Sequence, residues 1–163
     1  MKKNIFIIAP HPDDEIIGTY EIVKNYSTMI LYDASNSQFR REEARKLSDK
    51  FDIKAQVFMA NIPPHWYTME NSVFFFPDPI YEIHPLHRHW GHVGESMARS
   101  GRQVIFYTTN MNAPYIHEVK DFKGKQETLN EIYESQKNMW KWEEKYYLFE
   151  GYNSWHYNLE GVL

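Results

Sequence analysis

The chain has 163 residues, 42% of them hydrophobic and 25% charged, the size and mix of one soluble domain with room for a sizeable core. A net charge of −4 supplies no global basic field, so neither nucleic acid nor an anionic membrane surface is an expected partner. Cysteine is absent, which excludes disulfides and thiolate metal sites and leaves His, Asp and Glu to hold any metal.

Met1-Lys2-Lys3 and the apolar run Asn4 to Ala9 faintly resemble a signal peptide. The run is too short, however, and meets Asp13-Asp14-Glu15 without a small-residue cleavage site. No stretch approaches the length of a membrane span, and a cytoplasmic protein is expected.

In chain order, Asn4 to Ile8 reads as a buried strand. Glu15 to Tyr26, with Ile16, Ile17, Tyr20, Ile22 and Val23 at helical spacing, reads as a helix packed on a sheet. Thr28 to Asp33 is a second strand, Phe39 to Phe51 a charged helix with Ala44, Leu47 and Phe51 inward, and Ala55 to Met59 a third strand. Asn61 to Asn71 has no clean period and reads as a loop. Ser72 to Phe76 is a fourth strand stopped by Pro77-Asp78-Pro79, His87 to Ser100 a helix, and Gln103 to Thr108 a fifth strand. A long helical stretch follows from Gly124 to about Trp142, and the aromatic ending, Tyr146 to Leu163, is expected to fold back over the body. The alternation predicts a three-layer α/β/α Rossmann-like fold with a mainly parallel sheet and right-handed crossovers, as one domain over residues 1–163.

Pro10-His11-Pro12-Asp13-Asp14-Glu15 joins the first strand to its helix. One histidine and two aspartates therefore sit at a strand's carboxyl end, where open α/β sheets bind ligands. Imidazole and carboxylate are ligands that zinc accepts, and a spare carboxylate beside them can serve as the base that activates a water. Capping accounts for less of the segment: Pro12 suits a helix start and one aspartate suits an N-cap, but His11 and the second aspartate are left over.

Four of the eight histidines fall at 84, 87, 89 and 92, just after the fourth strand, and so emerge at the same edge of the sheet. A strand-one His/Asp pair and a strand-four histidine can converge there on one cation and leave a position open. Pro85 keeps His84 extended, so His84 and His87 can have different jobs. His89 and His92 have the spacing of residues decorating a helix, and His65, His117 and His156 read as ordinary surface or loop residues.

These residues resemble the PIG-L/LmbE-like zinc deacetylases, which remove the acetyl group from N-acetylglucosaminyl compounds. The first family signature is matched by Pro10-His11-Pro12-Asp13-Asp14-Glu15 and the second by His84-Pro85-Leu86-His87-Arg88 with Gly91. Arg40 and Glu43 match an Arg-x-x-Glu pair, and Lys125, Tyr133, Ser135 and Gln136 match a weaker motif towards the end. The resemblance implies that His11, Asp14 and His87 hold Zn2+, that Asp13 is the general base, and that His84 is the acid or steadies the oxyanion. It places Glu15 behind a ligand, orienting it, and Arg40 against the substrate. An ion pair from Arg40 to Glu43 along the helix is the plain alternative for that arginine.

The chain also departs from the family. Leu86 replaces an Asp of the second signature, which leaves Asp78, Tyr81 or Glu82 to compensate. Nothing in Asn61 to His65 matches the substrate-binding Asp that the family has after its third strand. The expected activity is release of acetate from an N-acetylated amino sugar. Hydrolysis of another small amide and a non-catalytic binding module are the alternatives, and Fe2+ or another divalent ion is an alternative to zinc. Of the five tryptophans, Trp66 and Trp90 lie in loops on the motif side and are candidates to stack on a sugar. Trp140 and Trp142 cannot share a helix face, so at least one is expected at the surface or at the site's edge.

Overall fold

A computed structural model describes residues 3–140 and 145–153. Five parallel strands build the body of the sheet: β1 (Asn4–Ile8), β2 (Thr28–Asp33), β3 (Ile53–Met59), β4 (Ser72–Pro77) and β5 (Gln103–Thr108). Two antiparallel strands, β6 (Tyr115–Glu118) and β7 (Phe149–Tyr152), extend it beyond β5, and the order across the sheet is β3-β2-β1-β4-β5-β7-β6. The chain runs outward from β1 to β3 and then returns to lay β4 on the other side of β1. The switch point of the topology is therefore the crevice between β1 and β4, where doubly wound sheets bind their ligands.

The core strands are apolar on both sides because both faces are covered. Ile5 and Ile7 of β1 join one buried cluster with Ile16, Tyr20, Val23, Ala44 and Leu129; Phe6 and Ile8 join another with Trp66, Trp90 and Met97. Alternate residues of one strand thus serve two cores, and the helices form layers on either face. On the first face lie α1 (Asp14–Asn25), α2 (Gln38–Arg45) and α5 (Phe122–Ile132); on the second lie α3 (Pro64–Thr68) and α4 (Pro85–Arg99).

Several expectations are corrected. The charged helix ends at Arg45 and continues as a 3-10 turn, Lys46–Asp49, which still buries Leu47. The expected loop at 61–71 contains α3, whose Trp66 is buried against Phe6 with ring centroids 4.7 Å apart. The helix expected from His87 starts earlier, at Pro85, with His84 as its N-cap. The long helical stretch from Gly124 is broken after Ile132, and α6 (Lys137–Trp140) follows a 3-10 turn, Glu134–Gln136. Of the aromatic ending, residues 145–152 form α7 (Lys145–Leu148) and β7, which joins the sheet rather than lying over it. Trp142, Trp155 and His156 lie outside the described residues. Among those described, no helix is long and apolar enough to cross a membrane.

Candidate metal centre

The β1–α1 turn and the β4–α4 loop meet at the switch point. From the first, His11 brings Nδ1 and Asp14 brings Oδ2; from the second, His87 brings Nε2. These three atoms form a triangle with sides of 3.0 Å (His11–His87), 3.0 Å (His87–Asp14) and 3.3 Å (His11–Asp14). A tetrahedral zinc with bonds of about 2.0–2.1 Å separates its ligands by about 3.3 Å, so the triangle has the size of one face of such a site. The donor chemistry fits as well, with two imidazoles and one carboxylate.

His84 completes a group of three histidines whose ring nitrogens lie within 4.8 Å of one another. This group could hold a metal ion, and the position of His84 also suits a second task. Pro85 at the first helical position lets His84 act as N-cap of α4, and its Nδ1 accepts the Leu86 N–H at 3.2 Å. With Nδ1 accepting, the neutral ring carries its proton on Nε2 and offers a donor rather than a lone pair. His84 is exposed at the cavity, and burial together with the charges of His87 and His11 lowers its pKa.

Two of the three groups in the triangle have further partners that fix them. The His87 Nδ1 lies 3.1 Å from Glu82 Oε2, which leaves Nε2 free for a cation. Glu82 is fixed in turn by the Thr109 N–H and by the Thr109 hydroxyl at 3.1 Å. Of Asp78, Tyr81 and Glu82, it is therefore Glu82 that places a carboxylate beside His87. Asp78 works elsewhere: it accepts the N–H groups of Ile80 and Tyr81 and the side-chain amide of Asn153. The Asp14 carboxylate folds back to accept the His11 N–H at 2.8 Å, tying two ligand residues together.

Asp13 occupies the N-cap position of α1 without capping it. Its φ of 123° lies in a region that residues other than glycine rarely adopt, and its side chain makes no cap hydrogen bond. The carboxylate meets Arg40 instead, Nη2 to Oδ1 at 3.0 Å, and the same Nη2 donates to the Pro12 carbonyl. Glu15, fully buried, accepts the Asp13 N–H at 3.0 Å and the Tyr133 hydroxyl. It therefore holds the strained Asp13 peptide rather than a ligand. Arg40 makes no pair with Glu43, which accepts the Ser135 N–H at 2.9 Å and the Ser135 hydroxyl at 2.6 Å.

The electrostatics follow from burial and proximity. Burial opposes charge on Asp14, but His87 and His11 outweigh it and hold the carboxyl well below its usual range. His87 is likewise disfavoured as a cation by burial, yet Asp14 and Glu82 push it up to about 10. Asp13 is raised by burial and then by the charge of Asp14, with Arg40 opposing. In the metal-free protein a proton on His87 thus holds together the groups that a cation would join.

A cavity of about 280 Å³ opens on this cluster, and Ile17, Arg40, Thr109, Gln136, Met139 and Trp140 form much of its remaining wall.

No family model, curated protein or solved structure matches the chain.

All seven sequence-selected residues contribute to this one region: His11, Asp13, Asp14, Arg40, His84 and His87 line the cavity, and Glu15 lies behind it. Trp66 and Trp90 do not. Both are buried in the core of the second face, and the Trp90 indole N–H donates to Asp33 at 2.9 Å. Trp140 edges the site instead, on α6. His65, His89, His92 and His117 are exposed, as expected of surface residues. The roles of Thr109 and Met139 carried no signal in the sequence, since neither belongs to a motif.

Proposed function

We propose that this protein is a metal-dependent hydrolase that removes the acetyl group from an N-acetylated amino sugar, in the manner of the PIG-L/LmbE-like deacetylases it resembles, with zinc as the metal. The observation that carries the reading is the triangle of His11, Asp14 and His87 with an uncapped, strained Asp13 beside it. A bound zinc lowers the pKa of a water from about 15.7 toward 7 and polarises the acyl oxygen.

The protein's own groups do the rest. Asp13, one residue before a ligand and kept in place by Arg40 and by Glu15 through its peptide, receives a proton from the attacking water. His84, with its proton on Nε2, steadies the oxyanion of the tetrahedral intermediate by donating a hydrogen bond, and the proton taken up by Asp13 passes on to the departing amine. Glu82 keeps the Nε2 of His87 directed at the cation. The test is metal content together with acetate release from N-acetylglucosamine derivatives. About one equivalent of zinc with acetate release is expected, and zinc without acetate release from any amide removes the enzyme reading.

One observation favours the second reading, hydrolysis of a different small amide. Trp66 and Trp90 are committed to the core, so the sugar-stacking groups expected from the sequence do not reach the cavity. Turnover of simple N-acetyl amines in preference to N-acetylglucosamine derivatives decides for it.

A further inference from the structure

Helix α1 is broken in its middle: Thr19 has φ −142° and ψ 31°. A continuous helix would join the Glu21 N–H to the Ile17 carbonyl. Each of these groups has another partner here. Lys125 Nζ of α5 donates to the Ile17 carbonyl at 2.7 Å, and Glu150 Oε1 of β7 accepts the Glu21 N–H at 3.2 Å. The two side chains lie 3.9 Å apart, and both are buried.

The signs match the backbone. The ammonium sits at the carbonyl end of the first half-helix and the carboxylate at the amide end of the second, as the partial charges of helix ends favour. Lys125 also donates to the Phe149 carbonyl at 3.0 Å, and Glu150 accepts the Tyr152 hydroxyl at 3.0 Å, so the pair is anchored in β7. The first half-helix is seated on the sheet as well. Gly18 lies so close to Tyr107 that a Cβ would come within 2.3 Å of its ring, and the Tyr107 hydroxyl donates to Ile8 at the end of β1. This half carries Asp14 and Ile17 to the cavity. A buried ion pair is a poor source of stability compared with apolar filling, so orientation is the better account of it.

We infer that Lys125 and Glu150 are positioning residues of the metal centre: by occupying the break in α1 from α5 and β7, they set the direction in which the first half-helix presents Asp14. The inference rests on the reading of His11, Asp14 and His87 as a metal site. It is tested by titrating cobalt(II) into the parent, Lys125→Met and the double variant Lys125→Met/Glu150→Gln, recording the visible spectrum. Backbone amide resonances are compared in the metal-free proteins.

The double variant leaves no lone buried charge and carries the test if the single variant does not fold. It is expected to bind cobalt at least tenfold more weakly than the parent, with altered visible bands and with shifted amides over residues 14–21. Parent-like cobalt affinity and bands in a folded double variant, with only a lower melting temperature, overturn the inference and leave the metal reading standing. A parent that takes up no cobalt removes both.

Discussion

Asp13 and Asp14 are neighbours of the same chemical type with opposite surroundings. Asp14 faces two imidazoles, whereas Asp13 faces a guanidinium across a backbone strained by its φ of 123°. Such strain costs on the order of 1–3 kcal/mol and persists only where neighbours over-determine it, here Glu15 and Arg40. Asp13→Ala is therefore expected to keep metal and lose about 10²–10⁴-fold in turnover, while Asp14→Ala loses both. Metal analysis beside steady-state rates separates the two, and parent-like turnover in Asp13→Ala removes the base assignment. Glu82→Ala is expected to weaken metal affinity by roughly 10–100-fold, read by competition with a chelator. Because His87 is raised to about 10, it carries a proton at pH 7.5 that a metal must displace. Calorimetric titrations in buffers of different ionisation enthalpy should show about one proton released per metal, and an enthalpy independent of buffer contradicts this. That His11, Asp14 and His87 share one region was legible from sequence because the first signature is contiguous and the histidines of the second, His84 and His87, lie within one turn of helix. The partners of Asp13 and His87 were less so, since Arg40 is 27 residues from Asp13 and Thr109 is 27 from Glu82.

At the scale of elements, the central parallel strands were read closely because each is a short apolar run with both faces buried, whereas the edge strand β3, half-buried and carrying Lys54 and Gln56, was read two residues short. β6 left no such mark. All four of its residues are exposed, and only pairing with β7 makes it a strand. The end of α5 was missed for a different reason. Tyr133 leaves the helix with φ −102° and ψ 55°, and its hydroxyl reaches Glu15, a partner 118 residues away. Local propensity cannot anticipate such a contact. Helix α4 owes its approach to the sheet to Gly91, where a Cβ would lie 2.6 Å from Pro79 N and 2.7 Å from the Pro77 carbonyl. Gly91→Ala is expected to push α4, and His87 with it, away from the β4 loop. Destabilisation of about 1–3 kcal/mol should appear in denaturant titration, together with weaker metal binding. An alanine variant with parent stability would mean that the helix shifts freely.

For the molecule as a whole, buried titratable groups govern the response to pH, and Asp13, raised by burial, acts in the same direction as Glu15 and Glu150. Burial is the main cause that raises both Glu15 and Glu150 from 4.5 to about 7. The folded state therefore binds more protons than the unfolded state between about pH 4.5 and 7, and stability falls as pH rises through that window. His87 acts in the same direction above pH 6.5. Lys125, lowered by burial to about 8, acts in the opposite direction, and only above pH 8. Asp14, held below its usual range, protects the fold until the pH falls under about 4. The metal-free protein should thus be more stable near pH 5 than near pH 7.5, by on the order of 1–3 kcal/mol in urea unfolding. Equal stability at the two values contradicts the burial of these glutamates.

What the sequence determined by itself was whatever short-range chemistry can write: the apolar runs of the parallel strands, the proline-bounded turns, and a contiguous set of ligating side chains at the end of β1. What only the tertiary structure decided was which partners from distant segments meet behind and beside those side chains. The fixing of Glu82 by Thr109, the attachment of Asp13 to Arg40 and the division of α1 by Lys125 and Glu150 each join residues from separate parts of the chain. The reason is physical: a buried polar group must find a partner, and which one it meets depends on how helices pack on the sheet rather than on its neighbours in the chain.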